Sequence, residues 1–471
     1  MKVSEYRALD ATSLAELVRR REVTADELLD TALDAVRDFN PSLNAVVTLF
    51  EDAARASIAS GLPDGPFTGV PFAIKDLNAT VEGVVTTNGS RAYSDALASG
   101  DSVAVQRYRS AGLVLFAKTN TPEFGLCPST EPALFGPTLN PWDPGLSPGG
   151  SSGGAAAAVA SGMLPAAHAS DGGGSIRIPA SACGLFGLKP TRARVTLGPT
   201  RGEGWGGLST QHALTRSVRD SAALLDAVAG PWSGDPYWAP PAPRSFVEEL
   251  NAPPGSLRVG ICTGAPGGIG VEPACRDAAE ATALRLEALG HSVEPVGWPF
   301  APELLAAAQS AVIAPNIAAS LEERIAARGR PLEPGELEPV SLTIVEWGRS
   351  ATAVDYVRSV NAAHAVGRAM ARLFDSIDVM VTPTLAALPP TIGTVNGQDV
   401  ERFVEGVAPL VAFTAVCNLS GQPAMSLPLD AAGGIPVGTQ VIGRFGDEAT
   451  LIRLATQMEA AHPWTGLAPE L

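Results

Sequence analysis

Residues 147–177, SPGGSSGGAAAAVASGMLPAAHASDGGGSIR, constrain this chain more than any other stretch. They hold two serines set among glycines, Ser151 and Ser175, joined by a run of small residues. Glycine is used where backbone must adopt dihedrals closed to other residues or approach another group closely. Two such clusters so near one another predict two backbone loops facing one small volume. Each loop precedes an expected helix start, where unpaired N–H groups can hold an anion or an oxyanion. The stretch after Gly154 is nearly pure Ala and Val, which predicts a helix packed tightly on all sides.

Around this segment, short apolar runs alternate with amphipathic ones. Thr24 and Glu27 make a capping box ahead of an apolar helical stripe of Leu28, Leu29, Ala32, Leu33 and Val36, and Pro41 is expected to end that helix. Strands are expected over 44–50, 70–74, 113–119, 166–170 and 256–264. Helices are expected over 51–60, 101–111, 213–229, 273–289 and most of 301–371. The alternation predicts a layered α/β fold, a sheet covered by helices on both faces. Its parts are a helical scaffold over 1–60, a core over 61–230, a linker of Pro, Trp and Gly near 230–245, and a remainder to 471 that supplies more sheet and pocket helices. Residues 119–145 are expected to form a long turn-rich segment. Loops of that length in compact domains are usually functional or disordered, and its aromatic and cysteine content places it beside a site.

Charge narrows the partners. The formal net charge is −16, with 33 Lys and Arg against 49 Asp and Glu, which argues against nucleic acid and anionic membrane surfaces because both need clustered cations. The acidity itself reads as solubility. The 5 cysteines are scattered, odd in number and free of any CxxC pair, which fits a reducing compartment. The first residues lack the apolar core of a signal peptide, and the Ala-rich run is broken by Ser161, Gly162, Pro165 and His168. A cytoplasmic protein is expected. There is no HExxH and no His/Cys group with metal-ligand spacing, so no metal is expected.

Three chemistries suit the serines. GGSSG fits the G-x-S-x-G nucleophile elbow, but that elbow needs a preceding strand and a late catalytic histidine. Here NPWDPGLSPGG precedes it, and His364 and His462 have no evident acid partner. GGSSGG as a phosphate cradle lacks the Lys-Ser/Thr ending of a P-loop and the spacing of a dinucleotide fingerprint. The third reading joins the serines to Lys75, delivered by the apolar run 70–74. A lysine there is either a solvated turn residue or one held at the edge of the core, where low dielectric favours a neutral, usable amine. His168, within a buried strand, reads as a core residue.

The run GVPFAIKD, then SPGGSSGGAAAAVASG, then DGGGSIRIPASACGLFGLKPT resembles the amidase signature family of hydrolases. The resemblance continues through RSVRDSAALLDAVAG, DVMVTPT, NLSGQPA and PVGTQVIGRFGDEATLIRLA, nearly the whole chain. It implies one amidase domain over 1–471 with the family's large, mixed, twisted sheet and no cofactor. By position, Lys75 matches the family's lysine, Ser151 the bridging serine after a cis peptide bond, and Ser175 the nucleophile. The backbone N–H groups of Gly172, Gly173 and Gly174, with that of Ser175, match the oxyanion loop. Ser152, Ser170, Asp171 and Arg177 match motif positions expected to orient the loops.

DGGGSIRIPAS, TNTPEFGL and EPALFGPTLNPWDP are most similar to the bacterial branch with 6-aminohexanoate cyclic-dimer hydrolases, near amidases that cleave aryl amides and urethanes. The expected substrate is a small neutral, fairly apolar amide or carbamate, shaped by segments 124–136, 196–212, 301–350 and 385–410. These carry no arginine cluster for a carboxylate. Trp205, among glycines, reads either as a pocket wall or as a surface loop residue. The family also contains transamidosome subunits, which work in a complex, and the chain's acidity weighs against that alternative. A homodimer is the family-level expectation.

Overall fold

The computed structural model describes residues 1–469. Its strands are β1 (Val46–Leu49), β2 (Pro71–Lys75), β3 (Val114–Thr119), β4 (Ala166–Asp171), β5 (Phe186–Lys189), β6 (Thr210–Thr215), β7 (Arg258–Ile261), β8 (Ser292–Pro295), β9 (Val379–Pro383), β10 (Ala424–Ala432) and β11 (Ile435–Gly443). They form one 11-stranded sheet in the order β1-β3-β2-β4-β6-β5-β10-β11-β9-β7-β8. The sheet is mixed. β2 runs parallel to β3 and β4, and β7 parallel to β8 and β9, while the other pairs are antiparallel.

Side chains of a strand alternate between the two faces, so a strand buried at every position is covered on both. β2, β3, β5, β6 and β9 are buried throughout, which accounts for the apolar runs that open β2, β3 and β9. This is the α/β sheet that the alternation of elements predicted. The Ala-rich helix Gly153–Ala160 is buried along its whole length, because methyl-sized side chains let it lie close to the sheet from every side.

Two expectations need correction. Pro41 does not stop its helix, which runs Ala25–Leu43 and ends at Asn44 in the left-handed region. Pro41 lies in the last turn, where the helix forfeits one N–H bond and little else. The helix expected over 213–229 is two elements, β6 and the helix Val218–Val228, capped by Ser217 on the Asp220 N–H. Ala213 and Leu214 fit either periodicity, and a strand buried on both faces has no alternation to read.

The segment Pro302–Arg328 is long and apolar enough for a membrane span by composition. It folds as two helices, Pro302–Gln309 and Ile313–Arg328, and Ile313 and Ala314 use that apolarity to line a cavity above the sheet.

Candidate active site

β2 and β4 are parallel neighbours, with Ala73 paired to Ala167, so their carboxyl ends open side by side. Such ends are where α/β sheets place their ligand sites. β2 delivers Lys75 there, and β4 delivers Ser170 and Asp171. His168 braces the two strands. Its Nδ1 accepts the Lys75 amide at 3.3 Å, and its Nε2 meets Gln211 Oε1 at 3.1 Å. Burial pushes the imidazole down to about 3, so it is a neutral strut within the core.

The Lys75 side chain is fully buried, and its Nζ lies 2.7 Å from Ser151 Oγ, 2.9 Å from Ser152 Oγ and 3.1 Å from Ser170 Oγ. Burial drives its pKa well below the usual lysine range, opposed by the field of Asp171. Three hydroxyls and no carboxylate in contact suit an uncharged amine. Ser151 follows a cis peptide bond from Gly150. No strand precedes it, as the elbow reading required; residues 141–150 are turns and coil. Ser175 stands apart from this cluster. It lines a separate wall of the cavity, and among the described residues its Oγ has no hydrogen-bond partner, Ser151 included. Catalytic hydrogen bonds are often long in a free enzyme and tighten when substrate arrives.

Between Asp171 and Ser175 the chain is held from outside. The Asp171 carboxylate accepts the Ile176 N–H at 3.1 Å and pairs with Arg177 through Nε at 3.0 Å and Nη2 at 2.8 Å. Both side chains are fully buried. Burial alone would raise the Asp171 pKa, but the Arg177 guanidinium outweighs it and holds the carboxyl down at about 2. Arg177 also donates to the Thr414 carbonyl, Gln440 Oε1 and Asn418 Oδ1. Asn418 donates to Asp171 Oδ1 at 2.9 Å, and Thr414 Oγ1 to the Gly173 carbonyl at 2.7 Å.

With the loop fixed this way, the N–H groups of Gly172, Gly173, Gly174 and Ser175 donate to nothing among the described residues. Gly174 has φ +139°, and a Cβ there would lie 2.3 Å from Thr414 Oγ1. Gly174→Ala is therefore expected to displace the loop and lower kcat by about 10²–10³-fold, the loss typical of a missing oxyanion donor. Steady-state kinetics beside a thermal melt check it, the melt moving far less than the rate.

The cavity has a volume of about 230 Å³. Its lining joins residues 125–128, Ile178, Trp205, Ile313, Trp347 and Phe403 to Ser175 and carries no charged side chain; Gln309 is the polar exception besides Ser175. Trp205 is thus a cavity wall. It holds φ +50° among glycines, and its indole lies so close to Gly172 that a Cβ there would be 2.7 Å from Trp205 Cε3. Sequence reasoning missed Thr414, Asn418 and Gln440. Asn418 falls inside NLSGQPA, a motif visible in the sequence, but nothing local to it shows that it reaches Asp171.

This sheet and this site define an amidase signature enzyme, and the chain belongs to that family: the Amidase family model matches residues 27–452. It is a hydrolase acting on amide C–N bonds. Among individual proteins, it is 40% identical to the 6-aminohexanoate-cyclic-dimer hydrolase of Paenarthrobacter ureafaciens, over 98% of this chain and 96% of that one. A solved 6-aminohexanoate cyclic dimer hydrolase superposes with a TM-score of 0.93 at 38% identity, covering 98% of this chain and 99% of that one. A bacterial aryl acylamidase superposes with a TM-score of 0.88 at 28% identity, covering 97% of each chain.

Proposed function

We propose that the chain hydrolyses neutral, largely apolar amides through an acyl-enzyme on Ser175, with cyclic or linear oligoamides, aryl amides and carbamates as the substrate class. The observation that carries this reading is a fully buried lysine 2.7 Å from Ser151, beside an apolar cavity that Ser175 faces. A cavity wall without charge favours a neutral substrate, since a buried ion needs a partner. The relatives' named substrates, a cyclic dimer of 6-aminohexanoate and aryl acylamides, are of the same class.

Hydrogen-bond accounting assigns the roles around Lys75. A neutral amine has two N–H donors and one lone pair. Ser152 already donates its hydroxyl to the Ser170 carbonyl at 3.2 Å, so it accepts from Lys75. Giving the second N–H to Ser170 leaves the lone pair for the Ser151 hydroxyl, the shortest contact. Lys75 then takes the Ser151 proton while Ser151 takes that of Ser175, and Ser175 Oγ attacks the carbonyl. The oxyanion rests on the N–H groups of residues 172–175. Protonated Lys75 returns its proton through Ser151 to the leaving nitrogen. Water follows the same route and frees the acid, or a carbonic acid half-ester from a carbamate. Asp171 and Arg177 keep the loop in place without touching substrate.

The test compares an aryl amide and an ester that share one acyl group with a carbamate of the same arylamine. Wild type is expected to cleave the amide and the carbamate. Lys75→Met slows the amide by about 10²–10⁴-fold and the ester less, because an amine leaves poorly without a proton. Activity rises with pH as Lys75 loses its proton, and burial moves that rise below the pH at which an ordinary lysine would titrate. A wild type that cleaves the ester alone, or has an acidic optimum, overturns the reading.

A further inference from the structure

Lys75 touches two different kinds of space. Ser151 Oγ sits against Gly125, a wall of the apolar cavity, where a Cβ would lie 3.1 Å from it; Ser170 lines a second, more polar cavity of about 50 Å³. Ser170, Gln211, Asn78, Thr200 and the cationic Arg201 line that second space, with Leu77 and Leu197 among its apolar walls. Its volume exceeds the ~10–15 Å³ that one water requires, and polar walls keep water where apolar walls would not.

One hydroxyl marks what fills it. Ser170 is half-buried, receives a Lys75 N–H at 3.1 Å, and donates its own O–H to nothing among the described residues. Buried hydroxyls are rarely left unpaired, and water is the usual partner when protein supplies none. The other polar groups nearest Lys75 are engaged. His168 bonds Gln211, Gln211 Nε2 donates to the Thr196 carbonyl, Ser152 bonds the Ser170 carbonyl, and Asp171 is spent on Arg177.

The reaction has a proton to place. At neutral pH a neutral aryl amide and water give a carboxylate, an uncharged arylamine and one proton: the C–N bond breaks with its electron pair going to nitrogen, a C–O bond forms, and nitrogen takes one of the two water protons. The other proton sits on the nascent carboxylic acid, at the end of the line Ser175, Ser151, Lys75. The apolar cavity offers no charged acceptor for it.

We propose that Ser170 is the solvent-side proton relay of Lys75, joining the amine to water in the polar cavity so that the product's proton leaves by a route separate from the substrate. This rests on the reading of Lys75 and Ser175 given above. The nascent acid passes its proton along the two serines to Lys75. The Lys75 ammonium gives a proton to Ser170 Oγ as the Ser170 hydroxyl proton moves to a cavity water. Ser170 ends unchanged, Lys75 is neutral again, and the proton leaves with solvent. Ser170 is thus a positioning and relay residue that never meets the substrate.

The experiment measures turnover of a 4-nitroanilide by the full chain in H₂O and D₂O. Ser170→Ala is expected to lower kcat about tenfold and raise the solvent deuterium isotope effect, with KM and thermal midpoint unchanged; Ser170→Thr keeps the hydroxyl and the wild-type values. Unchanged kcat and isotope effect in Ser170→Ala overturn the relay. So does a loss of kcat with an unchanged isotope effect, which is what a purely structural serine gives. If Ser175→Ala is inactive while Ser170→Ala is fully active, only the relay fails; if Ser175→Ala is active, both readings fall.

Discussion

Replacing Ser175 with alanine is expected to abolish amide hydrolysis, lowering kcat by about 10⁴–10⁶-fold while leaving the protein as stable as wild type. Both halves of the result come from the same geometry. Ser175 is 8% exposed at the cavity wall, and its hydroxyl bonds nothing among the described residues, so folding loses no interaction when the oxygen goes. Turnover loses the atom that attacks the carbonyl. The free N–H groups of residues 172–175 stay in place and still polarise the carbonyl, so a small residual rate over water is expected. Product release followed by chromatography and mass spectrometry measures the loss, and intact-mass analysis adds a direct reading. An acylating or phosphonylating probe adds one adduct to wild type and none to Ser175→Ala. Full activity in the variant would mean that the nucleophile lies elsewhere.

The second large effect is on stability. Asp171→Asn keeps the shape of the side chain and removes its charge, leaving the fully buried Arg177 guanidinium without a counter-ion. Breaking a buried pair from one side costs about 3–5 kcal/mol. An amide nitrogen placed where Oδ2 stands would also point a donor at the Ile176 and Arg177 N–H groups that now donate to it. Urea denaturation is expected to show the loss, and activity to fall with it as the loop slackens.

The pH dependence has a defined sign. With its pKa held at about 2, Asp171 contributes stability that is complete above the ordinary carboxylate range and disappears as pH falls toward that value. Wild type therefore loses its advantage over Asp171→Asn on acidification. A gap between the two that stays constant down to the acid transition would show that the charge of Asp171 has no part in holding the loop.

What the sequence disclosed, and what it hid, divides by distance along the chain. Ser151 and Ser175 sit in local patterns of glycine and small residues that only a few backbone arrangements satisfy, Lys75 ends a short apolar run, and the same patterns carried the family resemblance. The sheet followed from apolar runs too short for helices. Trp205 stayed ambiguous, because a tryptophan among glycines has the same local signature on a surface loop as over an oxyanion loop. β6 was hidden by burial on both faces, and Pro41 by its place in a last turn, where the usual prohibition is weak. Thr414, Asn418 and Gln440 were illegible for a stronger reason: their partners lie more than two hundred residues earlier in the sequence.

That separation bears on how the enzyme is made. During synthesis Lys75, Ser151 and Ser175 all leave the ribosome long before Thr414, Asn418 and Gln440, the residues that clamp the loop beneath Ser175. A nascent chain thus carries Ser175, the proposed nucleophile, before it has the residues that grip the loop beneath it. Closure of the loop therefore waits on the residues from Thr414 to Gln440, which makes activity a sensitive gauge of whether β10 and β11 have joined the sheet.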